Sequence, residues 1–585
     1  MPEYQAHLKD MNFVIKELHG LEQVCGKLHN PDISVDVVDA VIDEAAKFAS
    51  NVFSPLNRAG DNEGAKVVDI GVQESPGFKE AYQQFVEAGW GAMPGSTRYG
   101  GMGMPELVAG VTGEMWTAAN MSLSLCPLLT IGAIRAIETH ASDELKQTYL
   151  PKMISGEWTG TMNLTEPQAG SDLAAVRTRA EPDGDHFRIS GTKIYITWGD
   201  HQMTENIVHL VLARLPDAPK GVKGISLFVV PKFLVNADGS LGERNDVHCS
   251  SVEHKMGIHG SPTCVMNYGE NGGAIGYLVG EAHKGLMYMF VMMNAARIHV
   301  GISGVSISDR AYQHALDYAK TRVQGSPLQG GEAVTIINHP DVRRMLLQMR
   351  ALTEAARAIT AAVSVEFDKE EAGDANALAR IEYLTPIAKG WATEIAQEVT
   401  SLGVQIHGGM GYVEETGAAQ YMRDARIITI YEGTTGIQAM DLTGRKLIRD
   451  MGKSLTLLMT EMQADLAALS DQGDVGAIKQ TVIHGLQLIN DAAAWIGDQV
   501  QQDMNVLGSA AFNYLMLNGT VIGGFYMAKS AAIAEKKMQE DPGFYTSKIA
   551  TAKFYAEQIM PRAETFAKAL RSSPDTVMAL DEANF

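Results

Sequence analysis

A mainly α-helical protein with one central β domain is the fold class that this 585-residue sequence predicts. Three observations carry it. Apolar residues recur at three- and four-residue spacing on both sides of a middle stretch, near 160–283, where the period falls to two and unbroken apolar runs appear. The strand-like runs are clustered and do not alternate with helical ones, which disfavours a parallel doubly wound sheet. A last stretch, 451–585, keeps helical spacing and carries prolines only at Pro542, Pro561 and Pro574.

Taken in order, 1–159 reads as a helical domain behind a lead segment. From about Pro31 to Trp158 the stripe of Val37, Val38, Val41, Ile42, Ala45, Ala46, Phe48 and Ala49 sets the pattern. Residues 160–283 read as the β domain: Phe187 and Ile189 alternate with polar neighbours after the Asp183-Gly184 turn, Ile194 and Ile196 continue the alternation, and 207–212 and 225–230 are buried strands. Helical spacing returns at Gly285 through 343–365 and 387–402, broken by the Gly/Pro-rich loop 324–340, so 284–450 reads as a helical bundle. Residues 451–585 form an appended helical domain.

Composition narrows the function. Hydrophobic residues at 45% and charged residues at 20% suit a soluble globular chain and exclude a disordered or collagen-like one. A net charge of −21 repels nucleic-acid phosphate and anionic membrane, so an anionic ligand needs a local cluster of donors. Cys25, Cys126, Cys249 and Cys264 form no CxxC pair, and His254 and His259 lack a third ligand, so neither a disulfide framework nor a metal site is expected. The opening Met-Pro-Glu-Tyr-Gln-Ala-His-Leu-Lys-Asp has neither signal- nor transit-peptide character. No run reaches the roughly 18 uninterrupted apolar residues of a membrane span. The expectation is a cytoplasmic protein with no integral membrane part and no nucleic-acid partner.

The chemistry centres on Glu432, which follows the apolar run Ile427-Ile428-Thr429-Ile430-Tyr431 and precedes the turn Gly433-Thr434-Thr435-Gly436. Apolar neighbours raise a carboxylate's pKa toward that of a useful base, and glycines let backbone N–H groups approach a ligand. On local chemistry alone a Glu beside a glycine turn is more often a helix-end or loop carboxylate. Upstream, Thr161-Met162-Asn163-Leu164-Thr165-Glu166-Pro167-Gln168-Ala169-Gly170-Ser171-Asp172 runs from a strand into a Pro/Gly loop able to aim hydroxyls and N–H groups at a planar or phosphorylated ligand. Ile194-Tyr195-Ile196-Thr197, the helical Asn294-Ala295-Ala296-Arg297, Thr321-Arg322 and Gln405-Ile406-His407-Gly408-Gly409-Met410-Gly411-Tyr412 follow in that order.

In residue type, order and spacing these motifs resemble the acyl-CoA dehydrogenase family over about 35–450, and the lead and extension resemble its large bacterial subgroup. The resemblance implies an N-terminal helical domain, a middle β-barrel-like domain and a C-terminal four-helix bundle, here with an extra helical domain. It implies an oxidoreductase of fatty-acid metabolism and β-oxidation, with FAD as cofactor and an acyl-CoA thioester as substrate, either fatty acyl-CoA or 3-methylthiopropionyl-CoA. Glu432 would remove the α-proton while the β-hydride goes to flavin N5, giving trans-2-enoyl-CoA, and electrons would pass to an electron-transfer flavoprotein.

By the same resemblance Met162, Leu164 and Thr165 would line the flavin edge, Ser171 would face phosphate and substrate, and Tyr195 and Thr197 would cover the ring. Arg322 would pair with the pyrophosphate, and Gln405, Gly408 and Gly409 would reach the FAD of a second subunit in a homodimer. Thr434 and Gly436 would complete the dinucleotide contact, with Gly433 and Arg297 on the substrate side. The position of the family's alternative base is Ala296, so Glu432 stands unopposed, and the loop ending Asn338-His339-Pro340 departs from the family pattern after Arg322. Two other readings remain: an acyl-CoA oxidase that uses oxygen, and a non-catalytic flavin-binding interaction protein.

Overall fold

The computed structural model describes residues 4–27, 33–69 and 71–585. They form two compact units, one of Glu44–Met104 with Met115–Ala296, the other of Met1–Asp43, Pro105–Glu114 and Arg297–Phe585. Mostly helical with a sheet domain, the architecture agrees with the fold class expected from periodicity.

The first of these units holds the β domain. Asn206–Arg214 and Ile225–Pro231 are buried along almost their whole length, as their unbroken apolar runs require, and pair antiparallel with Leu210 opposite Val229. The eight-stranded sheet runs Val247–Val252, Thr263–Tyr268, His186–Thr197, Ala274–Leu278, Ile225–Pro231, Asn206–Arg214, Trp158–Asn163. Arg179–Asp183 pairs with both His186–Thr197 and Asn206–Arg214, which closes five strands into a barrel-like ring. The helix Met121–His140, capped where the Asn120 side chain accepts the Leu123 N–H, lies on Trp158–Asn163. A Cβ at Gly160 would stand 2.6 Å from the Ala133 Cβ, so that approach needs glycine. One difference from the helical reading of 31–158 is a hairpin, Lys66–Val68 with Gly71–Gln73, whose Val72 is buried in the β-domain core. Two three-residue strands are too short to impose a period on a sequence window.

In the other unit the long helices Pro340–Glu371 and Ala377–His407 pack side by side. Cβ atoms at Gly301 and Gly304 would lie 2.7 Å from the Ala388 and Ala392 carbonyl oxygens, so glycines bring the Gly285–Thr321 helix against the Ala377–His407 backbone. The appended helices join this core: a Cβ at Gly519 of Val506–Lys536 would sit 2.1 Å from Trp391 Cγ. The lead, grouped by sequence with the following helices, packs here instead. Asp10 binds Lys548 at 2.5 Å and also meets Arg357, which holds Glu114 at 2.7 Å. Among the described residues three helices, Met121–His140, Gly285–Thr321 and Val506–Lys536, are long and apolar enough to cross a membrane, but 67–78% of each apolar window is buried inside the protein. Cys126, Cys249 and Cys264 are buried free thiols and Cys25 is half-buried.

Candidate active site

The helical unit builds the site around a turn that local sequence makes and neighbours hold. The Arg426–Thr429 turn ends at Ile430, and the helix Thr435–Met440 starts under a cap in which Thr434 Oγ1 accepts the Ile437 N–H at 3.2 Å. Between them Glu432 has φ 54° and Gly433 φ 87°. Glycine is needed at 433 for this conformation, whereas a non-glycine residue held there, as Glu432 is, costs roughly 1–3 kcal/mol. Gly436 has no such requirement, since a Cβ there meets only Thr434 Oγ1 at 3.7 Å.

Lys389 and Gln438 hold the strained turn. Lys389 Nζ donates to the Gly433 carbonyl at 2.7 Å, and Gln438 Nε2 donates to the Glu432 carbonyl at 3.2 Å and that of Gly433 at 3.4 Å. Thr435 Oγ1 donates to Glu394 Oε1 at 2.5 Å. Arg297 stands 3.5 Å from Asp441, whose other oxygen lies 2.9 Å from Arg445. Glu432 itself is half-buried. Burial raises its pKa above the usual carboxylate value, against the pull of Arg297 and Lys389. The result is a carboxylate of raised basicity beside two cations, a candidate base. Burial brings the Lys389 ammonium down to about 8, although Glu432 opposes the shift. Arg297 Nε, Gln438 Oε1 and the Tyr431 hydroxyl are buried without a hydrogen-bond partner among the described residues. Such atoms are uncommon in folded proteins and mark places where a ligand or water completes the bonding.

The β unit carries another group of expected residues. The Thr165 carbonyl accepts the Ile194 N–H at 2.9 Å, which ties the 164–178 loop to His186–Thr197. Glu166 organises that loop: its carboxylate accepts from Lys193 Nζ at 2.8 Å, from the Thr178 hydroxyl at 2.6 Å and from the Arg177 N–H at 2.7 Å. Met162 is buried, Leu164, Thr165 and Thr197 are half-buried and Ser171 is exposed. Tyr195 has φ 59° and is 60% exposed, and Trp198 has φ 52° and is buried.

Back in the helical unit, Arg322 is exposed just past the Gly285–Thr321 helix, and its carbonyl accepts the Ile336 N–H at 2.8 Å. The loop that breaks the family pattern is folded: Val323 pairs with Thr335, and Pro340 opens the next helix at a position whose N–H would have no intrahelical partner. Gln405, Gly408 and Gly409 are exposed where Ala377–His407 ends, Gly408 taking φ 62° to stop the helix. Thus Arg297, Glu432, Gly433 and Thr434 share one neighbourhood, while Met162, Leu164, Thr165, Tyr195 and Thr197 share another. Sequence reading missed Lys389, Gln438 and Asp441, and saw Glu166 only as part of a motif. A signal existed for Lys389: it is the lone charged residue in the mainly apolar run 383–392.

A barrel-like β domain, a helical bundle and a half-buried carboxylate on a strained turn define the class, a mainly helical protein with a candidate carboxylate base. The models of the acyl-CoA dehydrogenase N-terminal, middle and C-terminal domains match 38–157, 161–269 and 283–447, and an "acetyl-CoA dehydrogenase C-terminal like" model matches 458–581. The chain therefore belongs to the acyl-CoA dehydrogenase family. It is 47% identical to 3-methylmercaptopropionyl-CoA dehydrogenase of Ruegeria pomeroyi, covering 95% of this chain and 96% of that one. It is 35% identical to a butyryl-CoA dehydrogenase of Syntrophomonas wolfei, covering 100% and 99%. Among solved structures, an acyl-CoA dehydrogenase complexed with FAD from Bacillus anthracis shares the fold, with TM-score 0.73 and 21% identity over 95% of this chain and 91% of that one.

Proposed function

We propose that the protein catalyses FAD-dependent α,β-dehydrogenation of a short acyl-CoA, with Glu432 as the α-proton base and electrons delivered to an electron-transfer flavoprotein. The observation that carries this is Glu432 itself, half-buried, raised in pKa and fixed on a left-handed turn beside Arg297 and Lys389. Glu432 takes the α-proton, and donors at the thioester oxygen stabilise the negative charge that develops there. The main-chain N–H of Glu432 would supply one such donor, as the family resemblance implies, and the bonds to the Glu432 and Gly433 carbonyls hold the neighbouring peptides of the same turn.

The β-unit residues fit a flat aromatic cofactor. An exposed tyrosine held on left-handed backbone beside two half-buried threonines presents an aromatic face on which a planar group can stack. Bound FAD supplies the acceptor for the β-hydride. Tyr195 and Thr197 would cover its ring, Met162, Leu164 and Thr165 would line its edge and Ser171 would face its phosphates, while Arg322, Thr434 and Gly436 of the helical unit keep the cofactor roles that the family resemblance gives them. Gln405, Gly408 and Gly409, exposed at a helix end, support a homodimer in which they reach the second subunit's cofactor.

The match to the Ruegeria pomeroyi enzyme makes 3-methylthiopropionyl-CoA the first substrate to test, and the Syntrophomonas wolfei match adds butyryl-CoA. Anaerobic titration of the FAD-loaded protein with both should bleach the flavin. Glu432→Gln should retain flavin and lose bleaching. Full bleaching in Glu432→Gln would remove Glu432 as the base, and peroxide release outpacing dye reduction would make the enzyme an oxidase.

A further inference from the structure

The family reading gives Glu432 its role but leaves unexplained a fully buried lysine pointed at the same turn. Lys389 has no solvent exposure, and it spends a hydrogen bond of 2.7 Å on the Gly433 carbonyl without a carboxylate in direct contact among the described residues. A buried ammonium without an ion-pair partner is costly unless it serves the charge near it. Three groups set its field: Glu432 and Glu394 attract it, and Arg297 from the neighbouring helix repels it. Behind Arg297 stand Asp441 and Arg445. The helix that carries Lys389 is itself fixed by glycine contacts, Gly301 and Gly304 on one side and Gly519 against Trp391 on another. Lys389 is therefore built into a rigid element and aimed at the strained peptide.

Resting on the dehydrogenase reading, we propose that Lys389 and Gln438 are positioning residues: together they clamp the carbonyls of Glu432 and Gly433, which aims the base at the substrate α-carbon. Clamping explains why Glu432 stays in a backbone region that L-residues avoid. The Lys389 ammonium also offsets part of the burial that favours the neutral form of the carboxylate.

The test uses the full-length, FAD-loaded protein as wild type, Lys389→Met, Lys389→Arg, Gln438→Met and Glu432→Gln. Two readouts are followed across pH. One is anaerobic bleaching by acyl-CoA. The other is exchange of α-hydrogens with deuterated solvent in a 3-thia-acyl-CoA, whose β-sulfur blocks hydride loss, read by mass spectrometry. Lys389→Met is expected to slow both about 100-fold with KM little changed, and to move the acidic limb of the profile upward by about one pH unit or more. Lys389→Arg should return the limb to its wild-type place, and Gln438→Met should slow exchange without moving the limb. Wild-type rate and limb in Lys389→Met overturn the inference while leaving the dehydrogenase reading intact. A wild type that neither bleaches nor exchanges with any acyl-CoA overturns both. Should Lys389→Met fail to fold, wild-type exchange rates in both Lys389→Arg and Gln438→Met overturn the clamp.

Discussion

Glu166 and Lys193 face each other at 2.8 Å, and neither side chain exposes more than 3% of its surface. Burial works against the Glu166 charge, but the Lys193 ammonium and the hydrogen bonds from Lys193, Thr178 and the Arg177 N–H outweigh it, leaving the carboxyl at about 2. Replacing Glu166 by Ala strands a buried ammonium and should cost about 3–5 kcal/mol in denaturant titration of the β unit. The pH sign follows from the depressed value. The stabilisation is complete above the ordinary glutamate value of 4.5 and is lost as pH falls through about 2. Glu166→Gln should flatten that acid loss, measured as unfolding free energy between those limits. Glu432 works in the opposite direction, its raised pKa reflecting burial that its two cations only partly offset. Both carboxylates were legible in the sequence as motif members. Their opposite environments were not, because each depends on a lysine remote in the chain.

At the scale of elements, close backbone approach does most of the positioning. The helix Val506–Lys536 is buried on nearly all sides and meets Ala377–His407 through Gly519, where a Cβ would clash with Trp391 at 2.1 Å. Gly519→Val should force the two helices apart and cost about 1–3 kcal/mol. Flavin retention and thermal unfolding would show it, and an unchanged unfolding temperature would mean that the contact relaxes freely. Helical periodicity made these helices readable, since 451–585 repeats its apolar residues at three and four. Which glycine meets which tryptophan was not readable, because the same spacing serves any crossing partner. The short hairpin Lys66–Val68 with Gly71–Gln73 was hidden for the converse reason: its local pattern is too brief, and only the core around Val72 makes it a strand pair.

At the scale of the helical unit, the lead ties chain segments more than 500 residues apart, Asp10 reaching Lys548 across a separation of 538. Phe13 stacks edge-on against Phe544 at 5.9 Å, and the Lys548 ammonium lies 4.5 Å from the Phe13 ring centroid. Asp10→Ala leaves Lys548 and Arg357 short of a carboxylate and should cost about 3–5 kcal/mol. Limited proteolysis should then cut the lead faster than in wild type, and an unchanged cleavage rate would show that apolar packing alone holds it. In solution a homodimer is expected, and sedimentation giving a stable tetramer would reject it.

The order helices, sheet, helices was set by the sequence alone, because hydrophobic periodicity is local and needs no partner to be recognised. The proposal of Glu432 as the base also began there, since Tyr431-Glu432-Gly433 keeps its meaning only in company with the loop before it and the glycines around 408. Tertiary structure decided what surrounds that base. Lys389 lies 43 positions before Glu432 in the chain, and Arg297 lies 135 before it. Their charges act on the carboxylate through space, over distances that only the packing of three helices determines. Electrostatics and strain belong to the assembled neighbourhood, whereas periodicity and turn chemistry belong to the chain.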